Sequence, residues 1–363
     1  MSVLNEVFKK AVEAEASDIH LKCGKPPIFR IRGTLVITDL PTATLEVLNA
    51  IVEDLVPAHQ LEQFMTSHRA DFSHHEEGVG RFRANVFRSQ GVPALVFRHV
   101  KSEVPDFETL RLPPVLADMA HLERGIILLA GTTGSGKSST LAAIIDQINK
   151  LYEKRIITAE DPIEYIFEDK KSVITQREVG LDTLCFEDAL RDLMRQDPDV
   201  ILVGEMRDEA TIRTGIMAAE TGHLVMSTVH ASSASQAIPR ILDVFPAHEQ
   251  GAIRMALAGT DLVIMCQRLV KALDGGRAPA VEIMINTPTI RKILEKNKLE
   301  MLASAVETGV SDGMQSFDQA VVKLIQENTI SKEEGLRVAT NPASIEMQLK
   351  GINLGEGSRI LGM

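Results

Sequence analysis

Residues 131–138 read Gly-Thr-Thr-Gly-Ser-Gly-Lys-Ser, which fits the G-x-x-x-x-G-K-[ST] phosphate loop. Upstream, Gly125-Ile126-Ile127-Leu128-Leu129-Ala130 is an unbroken apolar run that predicts a buried strand. Downstream, Ser139-Thr140-Leu141-Ala142-Ala143-Ile144-Ile145 predicts a helix. Strand, glycine loop and helix in that order aim successive backbone N–H groups and a helix amino terminus at one anion. Gly134 and Gly136 supply backbone angles that residues with a Cβ reach only at a cost. Lys137 is placed to reach β- and γ-phosphates, and the Ser138 hydroxyl to ligate Mg²⁺. Gly131, Thr132, Thr133, Ser135 and Ser139 complete the candidate phosphate-binding set. The stretch predicts a nucleoside triphosphate site.

The 363 residues suffice for two or three domains, each with its own core. A net charge of −11 argues against a general polyanion-binding surface. With no Trp and two Tyr, base-stacking platforms are poorly supplied, so nucleic acid is not expected as a partner. Cys23, Cys185 and Cys266 lie far apart and form no Cys-x-x-Cys pair, which predicts reduced thiols in a cytoplasmic setting. No apolar run approaches the roughly 18 residues of a transmembrane helix. The amino-terminal segment predicts an acidic amphipathic helix with Val3, Leu4, Val7, Phe8 and Val12 on one face, so it does not read as a signal peptide.

An α/β chain of two domains is expected. Residues 1–100 predict a small α+β domain: a first helix ending near Ser17-Asp18, a strand segment around Ile28–Val36, a helix from about Thr44 to Val56, and strands at Gly80–Arg88 and Ala94–Val100. Residues 101–115, with Pro105, Pro113 and Pro114, read as a linker. Across 116–270 strands and helices alternate around the phosphate loop, predicting a parallel sheet covered by helices. Residues 271–363 return to one strand, Pro279–Ile285, and then become helical with a tail; Ser331 and Glu334 have the spacing of a capping box.

Hydrolysis needs a base for the water and ligands for the metal at the ends of neighbouring strands. Val200-Ile201-Leu202-Val203-Gly204-Glu205 has the Walker B pattern, which puts Glu205 at the carboxyl edge where open α/β sheets bind ligands. Ile156-Ile157-Thr158-Ala159 empties into Glu160, Asp161 and Glu164 around Pro162. Glu205, Glu160 and Asp161 join Ser138 as candidate metal ligands, some through water; Glu164 or Glu205 is the candidate base. The segment His223–His230 carries a histidine near each end, and His230 falls on the nucleotide side. Both are candidates for a γ-phosphate or subunit-coupling role, His223 among the nucleotide-binding residues and His230 among the catalytic ones, although a strand histidine is more often a hydrogen-bonded structural residue. Between Glu77 and Glu103 there is no acidic residue, yet Arg81, Arg83, Arg88, Arg98 and Lys101 occur. Alternation puts Arg81 and Arg83 on one strand face, and arginine matches phosphate in a planar, bidentate way. They are candidate arginine fingers, against the alternative of a solvated strand face.

GTTGSGKSST, EDPIEY, QREVGLDT, RQDPDVILVGEMRD and AETGHLVMSTVHASSA, in this order and spacing, resemble the retraction ATPases of type IV pili, the PilT/PilU group of the secretion ATPase superfamily. The opening ASDIHLKCGKPPIFRIRG and the later RILDVFP and GMQSFDQA are similar to the same group, so the resemblance reaches to about residue 340. QREVGLDT and FDQA resemble the PilU branch, GEMRD the PilT branch. Thr289-Ile290-Arg291-Lys292-Ile293-Leu294 resembles the late AIRNLI element linked to retraction, departing from it at Thr289 and Lys292. The resemblance implies a PAS-like amino-terminal domain, a flexible linker and a RecA-like ATPase domain, assembled as a homohexamer. It implies Walker A roles for Lys137 and Ser138, an Asp box at Glu160, Asp161 and Glu164, Walker B at Glu205 and a His box at His223 and His230. Arg81, Arg83 and Arg98 fall where the family draws arginines towards the nucleotide. The implied work is hydrolysis of ATP with Mg²⁺, acting on an inner-membrane platform protein to disassemble pilin, with a paralogous pilus ATPase as a further partner.

Overall fold

The computed structural model describes residues 3–100 and 103–350. Lys101 and the end of the expected tail lie outside the described residues. The chain divides into two compact units. One comprises residues 1–103 with 161–167 and 178–182; the other comprises 104–160, 168–177 and 183–363.

In the first unit, helix α1 (Val3–Glu13) precedes strands β1 (Ala16–Lys22), β2 (Ile28–Ile31) and β3 (Thr34–Ile37). Helices α2 (Leu45–Leu55) and α3 (Ala58–Ser67) follow, then β4 (Arg69–Glu76), β5 (Gly80–Ser89) and β6 (Val92–Val100). The six strands lie in the order β3-β2-β1-β6-β5-β4. Phe8 of α1 is fully buried, stacking on Phe82 at 4.1 Å and meeting Phe97 edge-on at 5.0 Å. The first helix therefore stops before Ser17-Asp18, which belong to β1. The alternation in β1 is masked by Asp18, a carboxylate on a largely buried strand. Three elements escape the sequence, β1, α3 and β4. Arg69–Glu76 is too polar to look like a strand until its pairing with β5 is known.

The second unit runs through α4 (Val115–Asp118), β7 (Gly125–Ala130), α5 (Lys137–Leu151), β8 (Arg155–Glu160), β9 (Val173–Glu178), α6 (Phe186–Leu193) and β10 (Val200–Val203). It continues with α7 (Glu209–Glu220), β11 (Leu224–Val229), α8 (Ala234–Asp243), α9 (Gln250–Gly259), β12 (Leu262–Lys271) and β13 (Arg277–Ile285). The helical end comprises α10 (Pro288–Glu295), α11 (Leu302–Thr308), α12 (Phe317–Gln326), α13 (Lys332–Val338) and α14 (Pro342–Leu349). The sheet order is β13-β12-β7-β11-β10-β8-β9, with β12, β7, β11, β10 and β8 parallel and β13 antiparallel to β12. Every residue of β7, β10 and β11 is buried, as strands covered on both faces require. This is the α/β ATPase sheet that the sequence predicts. Towards the end of the expected linker, Arg111 is ion-paired with Asp274 and Leu112 is buried, so these two residues pack within the second unit.

Candidate active site

Parallel register decides which residues share the carboxyl edge of the second sheet. Ala130 of β7 stands level with Val229 of β11 and Cys266 of β12, and Val203 of β10 stands level with Ala159 of β8 and Ser227 of β11. The residues that follow these pairs are Gly131, Glu160, Gly204-Glu205, His230 and Gln267. One edge therefore gathers the phosphate loop, two carboxylates, a histidine and an amide.

Gly131, Gly134 and Gly136 all have positive φ, at 144°, 77° and 91°. A Cβ on Gly131 would sit 2.6 Å from the Ser135 hydroxyl and from the Gln267 carbonyl oxygen, so only glycine fits there. The Lys137 ammonium donates to the carbonyls of Gly131 at 2.8 Å and Thr132 at 3.1 Å, which folds it back over the loop. Thr132, Thr133 and Gly134 are exposed at the loop tip; Ser138 and Ser139 are half-buried in the first turn of α5. The Ser135 hydroxyl is buried without a hydrogen-bond partner, a polar group that a ligand oxygen could satisfy. Loop shape, lysine and orphaned hydroxyl all fit a phosphate chain.

Glu205 is held by its loop and by two side chains. Met206 N–H donates to the Thr228 carbonyl at 3.0 Å, and the Thr228 hydroxyl donates to the Gly204 carbonyl at 2.8 Å. Its carboxylate meets Arg207 at 2.6 Å and His230 Nε2 at 3.1 Å. Arg240 donates to the His230 carbonyl. Glu160 is buried and accepts from the Thr158 hydroxyl at 2.6 Å and from Gln176 Nε2 at 3.2 Å. Among the described residues, no cluster of three or more His, Cys, Asp or Glu side chains is arranged around a metal position. A Mg²⁺ arriving with ATP needs few protein ligands, since phosphate oxygens and water fill most of its sphere. Ser138 and Glu205, with Glu160 behind, suit that requirement.

His223 stands elsewhere. It precedes Leu224, which is level with Gly125 at the start of β7. A strand of this length separates it from the phosphate loop of its own chain by roughly 20 Å at about 3.3 Å per residue. Its Nδ1 lies 2.9 Å from the Ala218 carbonyl and 3.2 Å from the Thr221 hydroxyl, at the end of α7.

Within the first unit, the arginines divide. Arg81 is ion-paired at 2.6 Å with Glu178, a buried carboxylate that also accepts from Ile163 N–H at 3.2 Å. Arg98 Nε donates at 2.9 Å to Asp18, its cross-strand neighbour on β1. Burial pushes the Asp18 carboxyl up, but the Ser17 hydroxyl and the Arg98 guanidinium together hold it below its usual value. Arg83 is exposed and directly opposite Arg98 on β5 and β6. Arg83, Arg98, His99, Glu164 and Tyr165 line an open recess of about 240 Å³ in this unit. The structure thus brings two of the three arginines to Glu164 and turns Arg81 to Glu178. Asp161, joined to Pro162 by a cis peptide, is exposed and belongs to the same unit.

Three contributors escape sequence reasoning. Gln267 touches the phosphate loop, Arg207 pairs with Glu205, and Glu282 on β13 accepts from Ala234 N–H at the start of α8 at 2.6 Å. Burial pushes the Glu282 carboxyl up against the opposing pull of that N–H. Arg207 follows Glu205 in an irregular segment that leaves its direction open, and Gln267 and Glu282 lie in apolar strands that read only as core.

Comparison with known proteins agrees with this geometry. The family described as Type II/IV secretion system protein matches residues 1–349. The type IV pilus retraction ATPase PilT of Pseudomonas aeruginosa is 41% identical over 339 residues, covering 93% of this chain and 98% of the relative. The type IV pilus ATPase PilU of the same organism is 35% identical over 346 residues, covering 95% of this chain and 91% of the relative. The crystal structure of the pilus retraction motor PilT with bound ADP superposes with a TM-score of 0.88 at 41% identity, covering 94% of this chain and 98% of that one. A phosphate loop with Glu205 and His230 at the same sheet edge, in a chain matched along nearly its whole length, is a member of the Type II/IV secretion system protein family and groups with its pilus retraction ATPases.

Proposed function

We propose that this chain is the ATPase motor of type IV pilus retraction, working as a homohexamer at the cytoplasmic face of the inner membrane against a platform protein. The observation that carries the reading is the shared carboxyl edge of the phosphate loop, Glu205 and His230, in a chain 41% identical to PilT. Retraction needs a hydrolase whose product release changes shape, and a nucleotide loop flanked by strand-end side chains supplies the hydrolase. The loop N–H groups and Lys137 would hold the β- and γ-phosphates, and Ser138 with Glu205 would hold Mg²⁺, with Glu160 and Asp161 as further candidate ligands. The bound Mg²⁺ supplies charge neutralisation on the phosphates. Glu205 or Glu164 takes the proton of the attacking water, and His230 reports the γ-phosphate through its contact with Glu205. Arg83 and Arg98, with Arg81 once released from Glu178, supply positive charge to the transition state at a shared site. His223, remote from the loop of its own chain, couples subunits.

The test is complementation of cells lacking this chain. The wild-type gene restores twitching motility; Lys137→Ala restores none and has no measurable ATP turnover in the purified protein. Motility restored by Lys137→Ala would assign force generation elsewhere. An accessory role beside a paralogous ATPase is the second reading, supported by 35% identity to PilU. It predicts weak turnover by the purified wild-type protein alone.

A further inference from the structure

Gln267 on β12 is 3% exposed, yet both ends of its amide are engaged with the phosphate loop and the helix after it. Its Oε1 accepts from the Thr140 hydroxyl at 2.8 Å, and its Nε2 donates to the Ser135 carbonyl at 2.9 Å. The loop is also shaped around this residue. A Cβ on Gly136 would lie 2.7 Å from Gln267 Nε2, and one on Gly131 would lie 2.6 Å from the Gln267 carbonyl oxygen. Both ends of the loop thus abut one strand residue.

Ordinary core satisfaction explains half of this. Thr140 is 1% exposed and needs an acceptor for its hydroxyl. It does not explain a donor aimed at Ser135, inside the loop. In a trans peptide the C=O and the following N–H point in opposite directions. Drawing the Ser135 carbonyl onto Gln267 therefore turns the Gly136 N–H away from β12. We propose that Gln267 is a positioning residue for the phosphate loop, fixing the Ser135–Gly136 peptide so that the Gly136 N–H faces a nucleotide phosphate. The proposal rests on the loop being the nucleotide site.

The experiment measures the affinity of the full-length protein for fluorescent mant-ADP with Mg²⁺, together with KM and kcat for ATP, in four variants. Lys137→Ala is the control for the site itself. Gln267→Leu is expected to weaken mant-ADP binding about tenfold, the loss of roughly one charge-facing hydrogen bond, and to raise KM. Thr140→Val, which removes one hydroxyl and keeps the shape, is expected to weaken it by a smaller factor and carries the test if Gln267→Leu fails to fold. Gln267→Glu places an acceptor against the Ser135 carbonyl. A buried carboxyl titrates high, and its protonated form regains an O–H donor. Binding by this variant should therefore recover as pH falls from about 8 to 6, relative to wild type, whereas a packing defect would not change with pH. Normal binding by Gln267→Leu beside a defective Lys137→Ala, or a pH profile of Gln267→Glu parallel to wild type, overturns the positioning role. Normal binding by Lys137→Ala would overturn the site assignment on which it rests.

Discussion

The Glu205 carboxylate lies 2.6 Å from the Arg207 guanidinium and 3.1 Å from His230 Nε2, so one basic side chain and one imidazole flank it. A glutamine there keeps the shape but removes the charge and the capacity to accept a proton. Glu205→Gln should bind ATP as wild type does and hydrolyse it about 10²-fold more slowly or worse, the scale of losing a general base. Nucleotide binding and phosphate release measured on one preparation check this; unchanged turnover would leave Glu164 as the base. Glu205 itself was legible, because an apolar run ending in Gly-Glu after a phosphate loop points to one chemistry. Its pairing with Arg207 was not, since neighbours two apart in an irregular segment can turn anywhere. The Asp18–Arg98 pair was equally hidden, because 80 residues of chain separate partners that antiparallel register sets side by side.

At the scale of elements, α13 shows how a correct start signal can carry a different contact. Ser331 caps the helix by accepting from Glu334 N–H at 3.1 Å, as its spacing predicts. The Glu334 side chain does not reach back to the Ser331 backbone. It pairs with Arg337 at 2.7 Å and accepts from Lys271 N–H at 3.0 Å, tying α13 to the end of β12. The reciprocal capping box of this unit is at Ser316 and Gln319 instead. The Arg337 hydrogen bonds and then the Lys271 N–H hold the Glu334 carboxyl down at about 2. A depressed carboxyl contributes stability that is fully present above its unfolded-state pKa and is lost as pH falls through the folded one. Glu334→Gln should therefore lower the thermal midpoint by a few degrees near pH 7, and the gap from wild type should close as pH falls from about 4.5 towards 2. Parallel unfolding curves at both pH values would remove Glu334 from the ties that hold the helical end.

For the whole molecule, the proposed ring makes arginines of the first unit partners of nucleotide sites. Replacing them in a fraction of subunits should then affect more sites than the fraction replaced. Wild-type protein doped with Arg98→Ala copies is expected to lose ATP turnover more steeply than the mole fraction of variant. A strictly proportional loss would confine each copy's arginines to its own chemistry. The sequence alone determined the nucleotide loop, the α/β ATPase core and the family. Those are written in local signals: glycines where backbone angles demand them, apolar runs of strand length, and carboxylates where such runs end. Only tertiary structure decided which strand ends lie side by side. Register carried His230 to Glu205, left His223 at the far edge, and pressed Gln267 against a loop 132 residues away, measured from Ser135. The physical reason is that sheet pairing is fixed by the sum of many buried contacts, which no single segment of chain encodes.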